Sequence, residues 1–166
     1  MDKDKVMSIA VGERLPDTSF AIMIAGKVER RSTADIFGSK TVALFSVPGA
    51  FTPTCSAKHL PGFIEKSEAL HAKGVDLIAC TAVNDAFVMD AWSKAAGAGG
   101  KVTMLADGNG DFVREIGLEM DARKNSMGTR GRRFSMLVRD GVVVELNLED
   151  PGEYRTSTAD HLLGQL

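Results

Sequence analysis

The chain has 166 residues and a formal net charge of −2 at pH 7, from 20 basic and 22 acidic side chains. This length fits a single domain over residues 1–166, and the near balance of charge gives no reason to expect nucleic acid or an anionic membrane surface as a partner. No apolar stretch approaches the length that spans a bilayer, and residues 1–5 mix acids with bases without a following signal core. We therefore expect a cytoplasmic protein whose two cysteines are reduced thiols rather than a disulfide framework.

The first half of the chain predicts an alternation of strands with a broken helix. Residues 20–24 form a short apolar run before a glycine turn, and residues 41–47 have the length and β-branching of a buried strand. Residues 52–72 have a helical pattern that Pro61 interrupts, because proline removes the backbone donor for the carbonyl four positions earlier. Residues 75–83 are a second, nearly continuous apolar run, as expected for a strand covered on both faces of a sheet.

The next part predicts a helix, a strand and a short helical segment. Residues 84–85 (Asn-Asp) offer a cap for a helix whose apolar residues recur at helical spacing. Residues 101–106 predict a short strand, and residues 112–118 predict one or two turns of helix.

The last third predicts a hairpin and a terminal helix. Residues 134–138 and 142–146 flank Asp140-Gly141, a pair that is typical of a type I′ hairpin turn. Residues 157–160 (Ser-Thr-Ala-Asp) resemble a capping box that opens a final helix.

The order of these elements predicts an α/β fold. Parallel strand–helix–strand units followed by an antiparallel pair give a central mixed β-sheet with helices on both faces, which is typical of a thioredoxin-like fold with an N-terminal extension. Cys55 then follows the carboxyl end of a strand and leads into a helix, where ligand sites of such sheets are found.

The sequence Val-Pro-Gly-Ala-Phe-Thr-Pro-Thr-Cys at residues 47–55 places a cysteine in the first turn of a predicted helix. Thr52 is a favourable N-cap and Pro53 a favoured first helical residue, so Cys55 falls at the third helical position. Free backbone N–H groups and the helix dipole favour an anion there, and the thiolate is the reactive form of cysteine. We interpret Cys55 as a nucleophile; the alternative is a small buried apolar residue, the usual role of a free cysteine.

Two neighbours of Cys55 have both a structural and a chemical interpretation. The Thr52 hydroxyl can cap the helix and can also hydrogen-bond a substrate oxygen beside the sulfur, because a hydroxyl has one donor and two acceptor sites. Pro48 ends the strand and, beside a thiolate, would also shield the sulfur from bulk water.

A thiolate also needs positive charge nearby, and five cations lie within residues 123–133 with no acid among them. Arg133 is our candidate because it enters a predicted strand and so has a rigid support. The other four, Arg123, Lys124, Arg130 and Arg132, are interpreted as a solvated basic loop. Nucleic-acid binding through this loop is the less favoured alternative, because no aromatic residues are interleaved with the cations.

Cys80 is predicted to be structural, since it lies within the apolar run of residues 75–83 and free cysteines are commonly buried. A disulfide between Cys80 and Cys55 is left open, because it depends on the distance between their Cβ atoms. The chain has no Cys-x-x-Cys pair, which excludes dithiol chemistry of the thioredoxin kind, and its cysteines and histidines lack the spacing of a zinc site.

The motif Pro48-x-x-x-Thr52-x-x-Cys55 resembles the signature of the peroxiredoxin family, thiol peroxidases that use no metal or organic cofactor. The longer sequence around it is similar to the type II branch, which includes the atypical two-Cys enzymes. The likeness covers nearly the whole chain. Its segments are residues 47–56, 59–63, 83–88, 105–107 and 132–136.

This resemblance implies a role for each residue near the cysteine. Cys55 would be the peroxidatic cysteine, which attacks the peroxide O–O bond, becomes a sulfenic acid and releases water or an alcohol. Thr52, Arg133 and the backbone N–H groups of Thr54 and Cys55 would hold the peroxide oxygens, since oriented donors and positive charge stabilise the charge that moves across the breaking bond.

The resemblance also implies the substrates. Phe51, Pro48 and Phe134 would form an apolar rim that admits alkyl hydroperoxides as well as hydrogen peroxide. Type II members often form homodimers, so a homodimer is implied here.

The chain departs from the atypical two-Cys pattern in the step that reduces the sulfenic acid. Those members carry a second reactive cysteine before the last helix, whereas residues 153–158 contain none. We therefore expect one-Cys behaviour, with reduction by glutathione and glutaredoxin or by thioredoxin, and with Cys80 as a less favoured resolving thiol. A rival hypothesis is a peroxide-sensing relay, in which oxidised Cys55 passes its oxidation state to a partner protein.

Overall fold

A seven-stranded mixed sheet organises residues 7–166, the part of the chain that this computed structural model describes. Its strands are β1 (Ser19–Ile24), β2 (Lys27–Ser32), β3 (Thr41–Ser46), β4 (Leu77–Ala82), β5 (Thr103–Ala106), β8 (Phe134–Arg139) and β9 (Val142–Leu148). Two further strands, β6 (Glu119–Asp121) and β7 (Thr129–Gly131), form a separate antiparallel ribbon. The order across the large sheet is β2-β1-β5-β4-β3-β8-β9.

Short helices connect these strands. They are α1 (Thr33–Phe37), α2 (Leu60–Glu65), α3 (Ser67–Ala72), α4 (Ala86–Ala96), α5 (Asp111–Glu115) and α6 (Ala159–Gly164). A π-helical turn covers Cys55–His59, and a 3₁₀ turn covers Arg123–Asn125. None of the helices in residues 7–166 has the length and apolar character that a membrane crossing requires.

The predicted mixed sheet with helices on both faces is confirmed. Strands β3, β4 and β5 run parallel, while β8 and β1 are antiparallel to their neighbours in this central group. Alternate residues of each strand enter two separate cores, because successive side chains of a strand point to opposite faces. Phe45 packs with α2, α3, α4 and α6 on one face, and Leu44 packs with α1 and α5 on the other.

The predicted helix over residues 52–72 is divided into three pieces. Its first part is the π-helical turn, in which the N–H of Leu60 bonds to the carbonyl of Cys55. Pro61 occupies the second position of α2, within a helical stretch that is continuous from Pro53 to Glu65. The predicted interruption at Pro61 therefore coincides with the change from π-helical to α-helical bonding. A second break at Lys66 (φ −93°, ψ 9°), which was not predicted, separates α2 from α3.

The predicted capping box is displaced by one residue. The side chain of Thr158, not that of Ser157, accepts a hydrogen bond from the N–H of His161 at 3.0 Å and caps α6. The Ser157 hydroxyl instead donates to the carboxylate of Glu149 at 2.7 Å. The pattern predicted α6 correctly, but the hydroxyl of Ser157 makes a tertiary contact with Glu149 and does not cap the helix.

The turn at residues 140–141 has the predicted geometry, since both Asp140 (φ 46°) and Gly141 (φ 77°) are left-handed as a type I′ turn requires. The sequence did not predict β2, α1 or the β6–β7 ribbon. Strand β2 is exposed and polar, so it lacks the apolar alternation that reveals a half-buried strand.

The strand order places two distant segments of the chain side by side. Strand β3 pairs with β8, and Ser46 at the end of β3 lies opposite Phe134 at the start of β8. The segment that follows β3 leads to Cys55, and the segment that precedes β8 ends at Arg133. These two residues therefore meet at the same edge of the sheet.

We predict that Asp107, at the end of β5, makes folding stability depend on pH. Burial raises its pKa to about 6, although its carboxylate accepts hydrogen bonds from the N–H groups of Phe112 and Val113. The folded state thus favours the protonated carboxyl more than the unfolded state does. The protonated carboxyl therefore contributes to the free energy of unfolding at low pH, and this contribution is lost as the pH rises through 6. Between pH 4 and pH 7 the free energy of unfolding should fall by on the order of 2 kcal/mol relative to that of Asp107→Asn.

Urea unfolding of both proteins at several pH values between 4 and 7 measures this difference. Asp35→Asn, at an exposed carboxylate in α1, is the matched control and should follow the native chain. Parallel curves for the native chain and Asp107→Asn would contradict the prediction.

Candidate active site

The loop between β3 and the first helical residue is a tight turn with one strained position. The N–H of Thr52 bonds to the carbonyl of Gly49 at 3.4 Å, and Phe51 adopts a left-handed conformation (φ 64°), which is unusual for a bulky residue. The helical segment begins at Pro53, and the N–H of Ser56 bonds to the carbonyl of Thr52 at 2.9 Å. Cys55 is therefore the third helical residue, as predicted.

The predicted capping role of the Thr52 side chain is wrong. Its hydroxyl donates to the carbonyl of Gly49 at 2.7 Å and so closes the tight turn instead of capping the helix. Since the hydroxyl proton is used there, the oxygen retains acceptor sites for another donor. Thr52 also lines the cavity next to the site.

Cys55 is fully buried, and its sulfur lies against a cation. Nη2 of Arg133 donates to Sγ of Cys55 at 3.1 Å. A guanidinium at this distance stabilises negative charge on the sulfur. The alternative of a small buried apolar residue does not account for this contact.

Arg133 also contacts His59, a residue whose role sequence reasoning missed. Nη1 of Arg133 lies 2.8 Å from Nδ1 of His59, and Nε2 of His59 lies 2.9 Å from the carbonyl oxygen of Ser157. Because a guanidinium can only donate, Nδ1 must be the acceptor, so the proton of the neutral ring is on Nε2 and is donated to Ser157. The signal for His59 was its position four residues after Cys55, on the same helical face.

The imidazole of His59 is neutral at every physiological pH. Burial, and to a smaller extent the positive charge of Arg133, lower its pKa to about 3. The rings of Phe45 and Tyr154 enclose it, with centroids 4.8 Å and 5.2 Å away. His59 therefore orients Arg133 without competing with it as a second cation.

A cavity of about 630 Å³ lies beside this group. The polar residues of its lining are Thr52, Thr54, Asn125, Arg132, Arg133, Glu149 and Asp150. Pro48, predicted to shield the sulfur, also lines the cavity. Three apolar side chains from β6 and from the segment between β6 and β7 also line it, namely Met120, Ala122 and Met127.

The structure corrects the predicted apolar rim. Phe134 is fully buried in the core on the opposite face of the sheet, because strand alternation turns its side chain away from that of Arg133. Phe51 is 54% exposed and does not line the cavity. Of the three predicted rim residues, only Pro48 borders it.

Cys80 occupies β4 and is fully buried in the same core as Cys55. Burial raises the pKa of its thiol well above the usual value, and the nearby charge of Cys55 raises it further. Both cysteines are free thiols. Cys80 is thus a protonated thiol, which is a poor nucleophile.

The interpretation of the other cations as a solvated loop is wrong for two of them. Arg130 donates to the carbonyl of Met127 at 2.8 Å and to that of Pro48 at 3.4 Å, and Arg132 donates to the carbonyl of Glu149 at 3.0 Å. Both guanidinium groups therefore hold backbone segments that border the cavity. Within residues 7–166, no group of three or more His, Cys, Asp and Glu side chains is placed to hold a metal ion.

Comparisons with known proteins show the family of this chain. The Redoxin family profile matches residues 10–163. Peroxiredoxin-2E-2, chloroplastic, of Oryza sativa subsp. japonica is 49% identical over 166 residues, which cover 97% of this chain and 74% of that protein. Peroxiredoxin-2B of Arabidopsis thaliana is 45% identical over 159 residues, covering 95% of this chain and 98% of that protein.

A solved structure gives the same result. The crystal structure of reduced Prx3 from Vibrio vulnificus in complex with H₂O₂ matches with a TM-score of 0.91 and 44% identity, covering 95% of this chain and 98% of that one. The predicted thioredoxin-like fold is confirmed by this match. The chain belongs to the Redoxin family and, within it, to the type II peroxiredoxins, which are thiol-dependent peroxidases.

Proposed function

We propose that this thiol-dependent peroxidase reduces hydrogen peroxide and alkyl hydroperoxides through a sulfenic acid formed on Cys55. The observation that carries the proposal is the hydrogen bond of 3.1 Å from Nη2 of Arg133 to Sγ of Cys55. The bond holds a positive charge beside the sulfur of a cysteine in the first helical turn. Thr54, the residue before this cysteine, lines the adjacent cavity. An inert structural cysteine has no need of such a contact, since burying a charged group is costly.

In the proposed reaction the thiolate attacks one peroxide oxygen in line with the O–O bond. The S–O bond forms as the O–O bond breaks, and the second oxygen leaves with the bonding electron pair. It takes a proton from solvent, which balances the proton that the thiol released on ionising, and becomes water or an alcohol. Arg133 and the N–H groups of Thr54 and Cys55 would stabilise the charge on both oxygens. The Thr52 oxygen, whose own proton is donated to Gly49, would accept a hydrogen bond from the hydroperoxide O–H. The sulfur is oxidised to a sulfenic acid, and the peroxide is reduced.

The reductant is proposed to be an external thiol, from glutathione with glutaredoxin or from thioredoxin. Cys80 is a poor candidate for the resolving step because burial keeps its thiol protonated. We propose that the protein works in the cytoplasm, since a nucleophilic cysteine must be reduced before it can react and this compartment keeps thiols reduced; cell fractionation would test this.

Alkyl hydroperoxides are proposed as substrates because of the size and lining of the cavity. Its volume of about 630 Å³ far exceeds the share of about 30 Å³ that one water molecule occupies in the liquid. The side chains of Met120 and Met127 offer a flexible apolar wall, and such residues adapt to varied apolar groups. The alkyl tail would lie against this wall while the peroxide group lies at Arg133.

A homodimer is proposed from an apolar surface near the site. Phe51 and Phe87 are 54% and 69% exposed. The segments that precede them are tied together, because the N–H of Ala50 donates to Oδ1 of Asn84 at 2.9 Å. Two large exposed aromatic side chains on one supported surface favour contact with a second copy of the chain.

We predict that Cys55→Ser abolishes peroxide consumption, since serine is not ionised at neutral pH and cannot form a sulfenic acid. Cys80→Ser should keep the single-turnover rate within about twofold, because that thiol lies in the core away from the cavity. Stopped-flow oxidation followed by steady-state assays with glutaredoxin and with thioredoxin measures both steps. If Cys80→Ser eliminates recycling, the one-Cys proposal is wrong; rapid oxidation without cycling under either reductant would favour a sensor.

We predict that Met127→Ser lowers the rate constant for cumene hydroperoxide relative to that for hydrogen peroxide by about tenfold, since loss of about 55 Å² of apolar contact costs roughly 1.4 kcal/mol. Rates of Cys55 oxidation by each peroxide measure the ratio. Met7→Ser, at a methionine that is 89% exposed, is the matched control and should leave both rates unchanged. An equal decrease of both rates in Met127→Ser would show that Met127 supports the loop rather than the tail.

We predict that Phe87→Ser shifts the chain from dimer to monomer, because it removes the most exposed aromatic side chain of the proposed interface. Sedimentation velocity over a range of protein concentrations measures the change. Val11→Ser, at another exposed apolar side chain, should sediment as the native chain does. A native chain that sediments as a monomer at every concentration would contradict the proposal.

A further inference from the structure

We propose that Glu149 is a positioning residue of the active site, which acts on Arg133 through the loop of residues 155–157 and through His59. This inference rests on the proposed function of Cys55 and Arg133. It concerns a side chain that follows β9 and does not touch the sulfur. Four successive hydrogen-bonded links connect its carboxylate to the reacting atom.

The first link joins the carboxylate of Glu149 to the loop. The residue is only 4% exposed, and its carboxylate accepts hydrogen bonds from three consecutive residues of the loop. The donors are the N–H of Arg155 (2.6 Å), the N–H and hydroxyl of Thr156 (3.0 and 3.2 Å), and the N–H and hydroxyl of Ser157 (3.0 and 2.7 Å).

These bonds keep Glu149 ionised. Burial by itself would raise its pKa, but the bonds from the Ser157 hydroxyl and from the backbone N–H groups outweigh burial and lower the pKa to about 2. Hydrogen bonds to a charged acceptor are stronger than those between neutral groups. The carboxylate therefore fixes the backbone of residues 155–157 in one conformation.

The next links lead from Ser157 to the sulfur. The peptide N–H of Ser157 is held by Glu149, and its carbonyl accepts the proton on Nε2 of His59 at 2.9 Å. That bond selects the tautomer in which Nδ1 has a free electron pair, and Nδ1 accepts from Nη1 of Arg133 at 2.8 Å. The other terminal nitrogen of the guanidinium, Nη2, donates to Sγ of Cys55.

The backbone of Glu149 makes a second connection to the same arginine. Its N–H donates to the carbonyl of Arg133 at 3.0 Å, and its carbonyl accepts from Nη2 of Arg132 at 3.0 Å. Residue 149 thus holds the main chain at the base of Arg133, while its side chain acts on the guanidinium through His59. The two routes meet at the group that contacts the sulfur.

Glu149→Gln should disrupt the side-chain route alone. The amide has one acceptor oxygen in place of two and presents an NH₂ donor to N–H and hydroxyl donors, so several of the five donors lose their partner. The carbonyl of Ser157 is then no longer fixed, the proton of His59 is shared between both ring nitrogens, and Arg133 loses its oriented acceptor. We expect the rate of Cys55 oxidation by hydrogen peroxide to fall by about tenfold or more.

The experiment combines two readouts on the full chain. The ¹⁵N shifts of His59 report which ring nitrogen is protonated, and stopped-flow oxidation reports the rate. The native chain should show a proton on Nε2 alone, and Glu149→Gln should show both a mixed tautomer and the slower rate. Glu153→Gln, which changes an equal charge in the same loop where the side chain pairs only with Arg155 at 3.8 Å, should alter neither readout.

Ser157→Ala provides a second variant if Glu149→Gln fails to fold, because it removes one bond to the carboxylate and keeps the carbonyl that contacts His59. It should change both readouts in the same direction by a smaller amount. A folded variant that has the native tautomer and the native rate would overturn the proposal, whatever its melting temperature. Absence of Cys55 oxidation in the native chain would refute the proposed function instead, and the tautomer of His59 would still be measurable.

Discussion

The active site depends on one guanidinium that donates in two directions. Arg133 gives one fork to the sulfur of Cys55 at 3.1 Å and the other to Nδ1 of His59 at 2.8 Å. A flexible lysine could donate to either partner. The planar guanidinium of arginine donates to both at once and is held between them. The position of the positive charge relative to the sulfur is therefore set by the group on its other side.

A neutral imidazole, that of His59, is well suited to be the second partner of Arg133. A carboxylate in its place would pair with Arg133 and cancel much of the charge available to the sulfur and the peroxide. The histidine accepts one hydrogen bond while its low pKa, about 3, keeps it from becoming a competing cation. The guanidinium is thus oriented without being neutralised, which leaves its charge for the oxygen–oxygen bond that breaks.

The sequence predicted the parts of this site that local chemistry determines. Pro53 and Cys55 lie within three residues, and helix-start preferences placed both correctly. The roles of His59 and Glu149 were missed because they depend on contacts made only in the folded chain. Spacing from Cys55 places His59 near the site, but its partner Arg133 lies 74 residues away. The carboxylate of Glu149 binds an irregular loop six to eight residues later, and no sequence pattern marks that contact. The prediction for Phe134 failed for a simpler reason: it lies next to Arg133 in sequence, but neighbours along a strand point to opposite faces.

The loop before α6 contains no cysteine and is bound to the active-site hydrogen-bond network. By resemblance, the atypical two-Cys members use this stretch to carry a resolving cysteine, which must move to reach the sulfenic acid. Here residues 155–157 are bound to a buried carboxylate and present a carbonyl to His59. A segment whose fixed position keeps the arginine in place cannot also travel to the sulfur during turnover. The absence of a cysteine in residues 153–158 and the attachment of this loop to Glu149 are therefore consistent with each other and with the proposed external reductant.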